Sequence, residues 1–212
     1  MKKGDSKIRK LFAENWKVVV SVICIIGFLI FAKSVFHKEI MEADIVGHNF
    51  IINYLMSDTL TVCAKFITNF GGAICLITIT AILFLVIKNK KIGIAIAINL
   101  LMESILNLSI KSIFQRPRPI EYKLIEESGY SFPSGHSMAS MAFYGFIIYL
   151  VYKNIKNKYI KWSLIVLLTL LIIAIGFSRI YLGVHYTSDV LGGFLLTIAY
   201  LMLYTSIIQD KI

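Results

Sequence analysis

Charge is scarce in this chain. Of its 212 residues only 16% are Asp, Glu, Lys or Arg, while 58% are hydrophobic and the mean hydropathy is +0.77. Soluble domains carry about 25% charged residues, so this balance excludes an ordinary soluble domain and points to a chain embedded in a membrane. Acidic residues are the scarcer kind, 12 against 22 basic, for a net charge of +10. The basic excess does not form a nucleic-acid-binding face, because it sits in short clusters between long apolar runs rather than along one polar surface. Anionic lipid, not nucleic acid, is the expected partner. Cysteine occurs only three times, as Cys24, Cys63 and Cys75, in or beside apolar stretches and without the spacing of metal ligands. Repeats, low-complexity tracts and a soluble domain are also missing, so residues 1–212 read as one membrane-embedded domain.

Apolar runs are what the chain has in abundance. A helix needs about 20 residues to cross about 30 Å of hydrocarbon. Six windows of roughly that length are apolar enough: 17–36, 71–88, 92–110, 135–152, 161–178 and 188–208. The predicted fold class is therefore all-α, a multi-pass bundle of six transmembrane helices. The first run follows a basic leader and has small residues at Ala32 and Ser34, features shared with a cleaved signal peptide; its removal would leave the orientation of the other five unchanged. Residues 38–70, between spans one and two, are too polar to span and too apolar for a solvated loop. They predict one or two interfacial helices, with a partly ordered loop packed on the bundle as the alternative. Of the 22 Lys and Arg, 14 fall at the N-terminus, in turns 88–91 and 153–161 and at the C-terminus, and 8 on the opposite side. Positive residues near span ends stay in the cytoplasm, so both termini are predicted to be cytoplasmic in a cell-membrane protein.

Three polar clusters interrupt the apolar pattern: KSIFQRPRP at 111–119, PSGHS at 133–137 and SRIYLGVHYTSD at 178–189. Helix parity puts all three on the non-cytoplasmic side, where segments distant in sequence can converge. Pro117 and Pro119 bracket Arg118 and restrict the backbone around it. With Lys111 it offers a planar bidentate fork and a point charge, a pair suited to phosphate; snorkelling at a span end would use the same two residues. Ser134 is a predicted N-cap and Gly135 permits close backbone approach, so the start of the fourth span makes an anion cradle with His136 in its first turn. A capped helix carrying an interfacial histidine is the plainer reading of that motif. His185 and Asp189 lie four residues apart, on one face of a helix, which lets the carboxylate orient the imidazole as an activated nucleophile requires. A structural pair at a span end would have the same spacing. Arg179, separated from His185 by Gly183, can fold back towards it.

Written as motifs these residues are K-x6-R-P (Lys111, Arg118, Pro119), P-S-G-H (Pro133 to His136) and S-R-x5-H-x3-D (Ser178, Arg179, His185, Asp189). All three are complete and in order, and over roughly residues 45–205 the chain resembles the type 2 phosphatidic acid phosphatase superfamily, which also includes vanadate-binding haloperoxidases. Thr187 departs from the pattern, standing where many relatives have Pro. The resemblance implies an integral membrane lipid phosphatase needing no cofactor and no metal. His185 would be the nucleophile, Asp189 its orienting carboxylate and His136 the proton donor to the leaving oxygen. Lys111, Arg118, Ser134, Gly135 and Arg179 would hold the phosphoryl oxygens. Its partner would be a phosphorylated membrane lipid in the bilayer, with undecaprenyl diphosphate, phosphatidylglycerophosphate and phosphatidic acid as candidates. A membrane protein that binds or transports a lipid or phosphate without chemistry is the alternative; it explains the cations and leaves the two histidines idle. Glu126 and Glu127, adjacent on the 120–132 loop, are expected to be solvated. Glu103, inside the third span, must face the bundle interior or be neutral.

Overall fold

The structure is a computed structural model that describes residues 2–120 and 122–212. The side chains of residues 1–14, which hold most of the basic leader, and residue 121 of the 120–132 loop lie outside the described residues. In chain order the helices are α1 (Lys2–Phe36), α2 (Glu42–Phe50), α3 (Asp58–Thr68), α4 (Ala73–Val86), α5 (Lys90–Phe114), α6 (Gly135–Asn154), α7 (Lys158–Tyr181) and α8 (Thr187–Ile208). α2 runs on into a π-helical turn at Ile51–Leu55, and a 3-10 turn at Asn69–Gly71 joins α3 to α4. No strand occurs among the described residues. The asparagines of the two basic turns explain where helices restart. Asn89 accepts from the Lys91 amide at 3.1 Å, and Asn157 from Tyr159 and Ile160 at 3.0 and 3.2 Å. Each supplies an acceptor to first-turn donors that have no partner within the helix.

Residues 38–70, for which a loop was the alternative, are mostly helical as α2, the π-helical turn and α3. α1 from Asn15, α5, α7 and α8 are long and apolar enough to cross a membrane, and α3 with α4, bent by 50° at their junction, adds a fifth span if the pair counts as one. α6 occupies the position expected of the fourth span but is not in that group. The reason is its place in the bundle. Met138, Ala142, Phe143 and Phe146 of α6 are fully buried, and so are its polar Ser137 and Ser140. α5, α7 and α8 pack around it. A helix covered by protein has no need of the apolar outer face that its neighbours turn outward.

The helices around it, α4 among them, are built inside out. Large apolar side chains such as Ile74, Leu85, Leu101 and Leu167 are exposed, whereas Asn99, Glu103 and Asn107 of α5 are buried. In water this would be an aggregation surface. In hydrocarbon it is the stable arrangement, because apolar groups lose nothing there and polar ones must find partners inside the bundle. Asn99 donates to the Ala142 carbonyl at 2.8 Å and Asn107 to the Pro133 carbonyl at 3.2 Å, so two polar residues of α5 grip α6 and the chain leading into it. From the other side Phe132 stacks on Phe28 of α1 at 5.6 Å and meets Phe114 edge-on at 5.2 Å. The PSGH segment is thus fixed from both directions.

The turn between α7 and α8 depends on Gly183. Its φ of +69° lies in the left-handed region, and a Cβ there would come within 1.7 Å of the Tyr122 carbonyl oxygen. Gly183→Ala is expected to cost on the order of 2 kcal/mol or more, read as a lower unfolding midpoint of the detergent-solubilised protein. An unchanged midpoint would contradict this packing.

Candidate active site

The turn that Gly183 permits brings His185 back beneath the end of α7, where the Val184 amide donates to the Arg179 carbonyl at 3.3 Å. His185 is 3% exposed. Its Nδ1 lies 3.4 Å from Asp189 Oδ2 and 3.3 Å from Ser131 Oγ; its Nε2 lies 3.0 Å from Arg118 Nη1. A guanidinium can only donate, so Nε2 is the unprotonated nitrogen whose lone pair accepts from Arg118, and Nδ1 carries the proton towards Asp189. Burial pushes the imidazole down to about 4, with Arg118 and Arg179 pushing the same way and Asp189 opposing them. At neutral pH the ring is uncharged, as a nitrogen nucleophile must be.

Arg118 is held firmly, as its flanking prolines predict. Nε donates to the Gly129 carbonyl at 3.0 Å, Nη2 to Ser128 at 2.8 Å and Nη1 to Val184 at 2.9 Å. Lys111, at the end of α5, donates to the Tyr130 carbonyl and, at 3.4 Å, to that of Ser131. Arg179 is 1% exposed. It donates to Thr68 at 2.7 Å and to Glu127, while its Nε is buried with no hydrogen-bond partner among the described residues. The expected solvated role of Glu127 is therefore corrected. Its carboxylate bonds Arg179 on one side and lies 3.9 Å from Arg118 on the other. Burial alone would push this carboxyl up, but the two guanidiniums hold it below its ordinary value. The carboxylate thus lies between the two guanidiniums.

Ser134 caps α6 as the motif predicts, accepting from the Ser137 amide at 3.5 Å and from the Ser137 hydroxyl at 3.0 Å. The Ser134 side chain is fully buried, and in this structure it caps the helix. A Cβ at Gly135 would lie 3.2 Å from Asn107 Oδ1, which accounts for glycine at this close approach. The Ser134 amide donates to the Asp189 carbonyl at 3.1 Å, joining the second and third motifs through the backbone. His136, in the first turn of α6, lies beside Gly71 and Gly72 and within electrostatic range of Arg179, Glu127, His185 and Arg118.

The structure thus gathers the three clusters, and it adds residues that the motifs do not name. Ser131 donates to Asp189 Oδ2, Thr68 supports Arg179, and Arg116 binds Asp189 Oδ1 at 2.6 Å. Ser131 and Arg116 were visible only as neighbours of motif residues, and Thr68 carries no sequence signal. Glu103 is 1% exposed and faces the interior, as expected. It helps line a groove of about 900 Å³ between α4, α5 and α6, walled by Leu76, Phe84, Leu100 and Leu108, with Gly135 and His136 also in its lining.

Comparison with known proteins bears on this arrangement. The PAP2 superfamily model matches residues 91–212. Phosphatidylglycerophosphatase B of Bacillus subtilis is 36% identical over 94 residues, a match spanning 43% of this chain and 46% of that protein, less than half its length. The undecaprenyl-diphosphatase of Sulfolobus acidocaldarius is 29% identical over 182 residues, 81% of this chain and 84% of that one. The crystal structure of a transmembrane PAP2-type phosphatidylglycerolphosphate phosphatase from Bacillus subtilis superposes with a TM-score of 0.80 at 27% identity, covering 91% of this chain and 97% of that one.

The buried neutral His185 also predicts an acid limb of stability. The unfolded chain takes up this proton near pH 6.5, the folded chain only near pH 4. The unfolded state binds more protons in that window, so stability falls as pH is lowered through it. Unfolding midpoints measured between pH 7 and 4 should drop less steeply in His185→Asn than in wild type; identical slopes would contradict the assignment.

Proposed function

We propose that this chain, which belongs to the PAP2 superfamily, is an integral membrane lipid phosphatase working through a phosphohistidine formed on His185. The observation that carries the proposal is the His185 ring: neutral, oriented by Asp189, and with its Nε2 lone pair turned towards a cluster of fixed cations. A protein that only captured an anion would need the cations and not this nitrogen.

In the proposed reaction the phosphoryl group replaces the Glu127 carboxylate and the loop carbonyls as partner of Arg118, Arg179 and Lys111. Ser134 and the Gly135 amide add donors at the start of α6. His185 Nε2 attacks phosphorus in line: the N–P bond forms, the P–O bond to the lipid breaks, and His136 gives the leaving oxygen a proton. Asp189 holds Nδ1–H and stabilises the imidazolium that results. Water then attacks phosphorus, His136 takes its proton, the N–P bond breaks, and phosphate leaves with His185 neutral again. Phosphoryl transfer is catalysed chiefly by positioning and by charge placed against the phosphoryl oxygens. Three fixed cations suit that task without a metal ion.

The apolar groove supports a lipid as the other half of the substrate. His136 lies both in its lining and among the charged groups of the anion site, so a tail in the groove would put the scissile oxygen beside the proposed acid. Candidate substrates are phosphatidylglycerophosphate, undecaprenyl diphosphate and phosphatidic acid, the first two in keeping with the relatives' names. In this proposal six spans cross the cell membrane, with the bent α3–α4 pair as the second, α6 enclosed among the others and α2 at the interface. The site opens on the non-cytoplasmic face and both termini are cytoplasmic.

The test is phosphate release from a panel of lipid monophosphates and prenyl diphosphates by the purified protein in detergent. Release is expected from at least one of them and should persist in EDTA. His185→Ala should lower it by on the order of 10³-fold or more while leaving the protein folded. Full activity in that variant contradicts the nucleophile, and loss in EDTA contradicts metal independence. Binding of a lipid without any release would favour the non-catalytic alternative.

A further inference from the structure

Asp44 and Arg116 stand outside the three motifs and take no part in the steps above, yet both are buried, at 3% and 7% exposure. Arg116 Nη2 donates to Asp44 Oδ2 at 2.8 Å; Nη1 donates to Asp189 Oδ1 at 2.6 Å and to Ser188 Oγ at 2.7 Å. The guanidinium lies over the Tyr186 ring, 4.1 Å from its centroid. Asp44 also accepts from the Ser188 amide at 2.8 Å, from the Ser188 hydroxyl at 3.0 Å and from the Met41 amide at 3.3 Å. α2 is pressed against the start of α8, where a Cβ at Gly47 would fall 2.2 Å from Thr187 Oγ1.

A buried carboxylate–guanidinium–carboxylate array is a poor device for stability, since desolvation of three charges consumes most of what their attraction returns. Its geometry serves something else. Arg116 takes Asp189 Oδ1, which leaves Oδ2 for Ser131, the Tyr186 amide and His185 Nδ1. Its charge, taken alone, would cancel that of Asp189, and an imidazolium forming on His185 would then face a neutral pair. Asp44 restores one net negative charge to the array.

We propose that Asp44 and Arg116 are a charge-balanced positioning pair for the Asp189–His185 dyad: Arg116 fixes the Asp189 carboxylate through Oδ1, and Asp44 offsets the Arg116 charge so that Asp189 keeps its field for the imidazolium. This rests on the proposed attack by His185. The charged and titratable groups facing that ring are Asp189 from α8, Arg118 from the α5–α6 connection, Arg179 from α7 and His136 from α6. Arg116 and Asp44 act on it from behind Asp189.

The test compares full-length wild type, Asp44→Asn, Arg116→Met and the double variant in detergent, with folding checked by thermal unfolding. Two quantities are read: kcat and KM for phosphate release, and the titration midpoint of His185 by NMR of ¹⁵N-labelled histidine. Each single variant should lose roughly ten- to a hundred-fold in kcat with KM little changed. The midpoint should rise in Arg116→Met, where a cation is lost, fall in Asp44→Asn, where an anion is lost, and return towards wild type in the double variant. The double variant should also keep more activity than the product of the two single losses. Wild-type kcat in both single variants overturns the proposal, and so do additive losses with an unmoved midpoint, which mark a merely structural pair. If Arg116→Met fails to fold, Arg116→Lys takes its place, with recovery of most of the wild-type kcat expected and none contradictory. A wild type that releases phosphate from no lipid defeats the proposed function instead, and the midpoints alone then decide the pair.

Discussion

Asp189 is fully buried at the start of α8, and its carboxylate accepts from Arg116, Ser131, the Tyr186 amide and His185, while its backbone carbonyl accepts from the Ser134 amide. Those partners come from the α5–α6 connection, the approach to α6 and the turn after α7. A charged group in such a place is tolerable only if its lone pairs are filled. The need to fill them draws together chain segments that are far apart in sequence. The dyad spacing, the RPRP segment and the PSGH cap are in this sense parts of one constraint.

A second consequence is that the cations of the proposed anion site already have partners within the protein. Arg118 spends its donors on carbonyls of residues 128, 129 and 184 and on His185, Lys111 on those of 130 and 131, and Arg179 on Thr68 and Glu127. The 120–132 loop therefore supplies the partners that a phosphoryl group would replace in the proposed reaction. Because the cations are already aimed by these contacts, little reorganisation is left for the moment of binding. The surrounding helices support this placement by reversing the usual order, apolar outward and polar inward, so that the polar end of the bundle is the one place where buried charge can be concentrated.

Most of the helical frame was legible because hydrocarbon imposes a simple rule on length and apolarity. The expected windows 92–110 and 188–208 match α5 at Lys90–Phe114 and α8 at Thr187–Ile208. α6 was legible as a helix, but its enclosure by the others was not, since burial among protein and burial in lipid select similar residues. In the site, the dyad spacing and the proline-bracketed Arg118 were readable as local geometry. Glu127 was misread because its partner Arg179 is 52 residues away. Asp44 and Arg116 were not seen as a pair for the same reason, with 72 residues between them. No local pattern distinguishes a solvated carboxylate from one awaiting a distant guanidinium.

The most direct test of the central claim is to trap the covalent state. Purified protein mixed with a substrate lipid carrying ³²P in its scissile phosphate, and quenched within a turnover in alkali, where phosphohistidine survives and acyl phosphates do not, is expected to retain label on one histidine. Peptide mapping should place it at His185 in wild type and find none in His185→Ala. Label on another residue, or release of phosphate in single-turnover conditions with no labelled protein at any time, would contradict nucleophilic attack by His185.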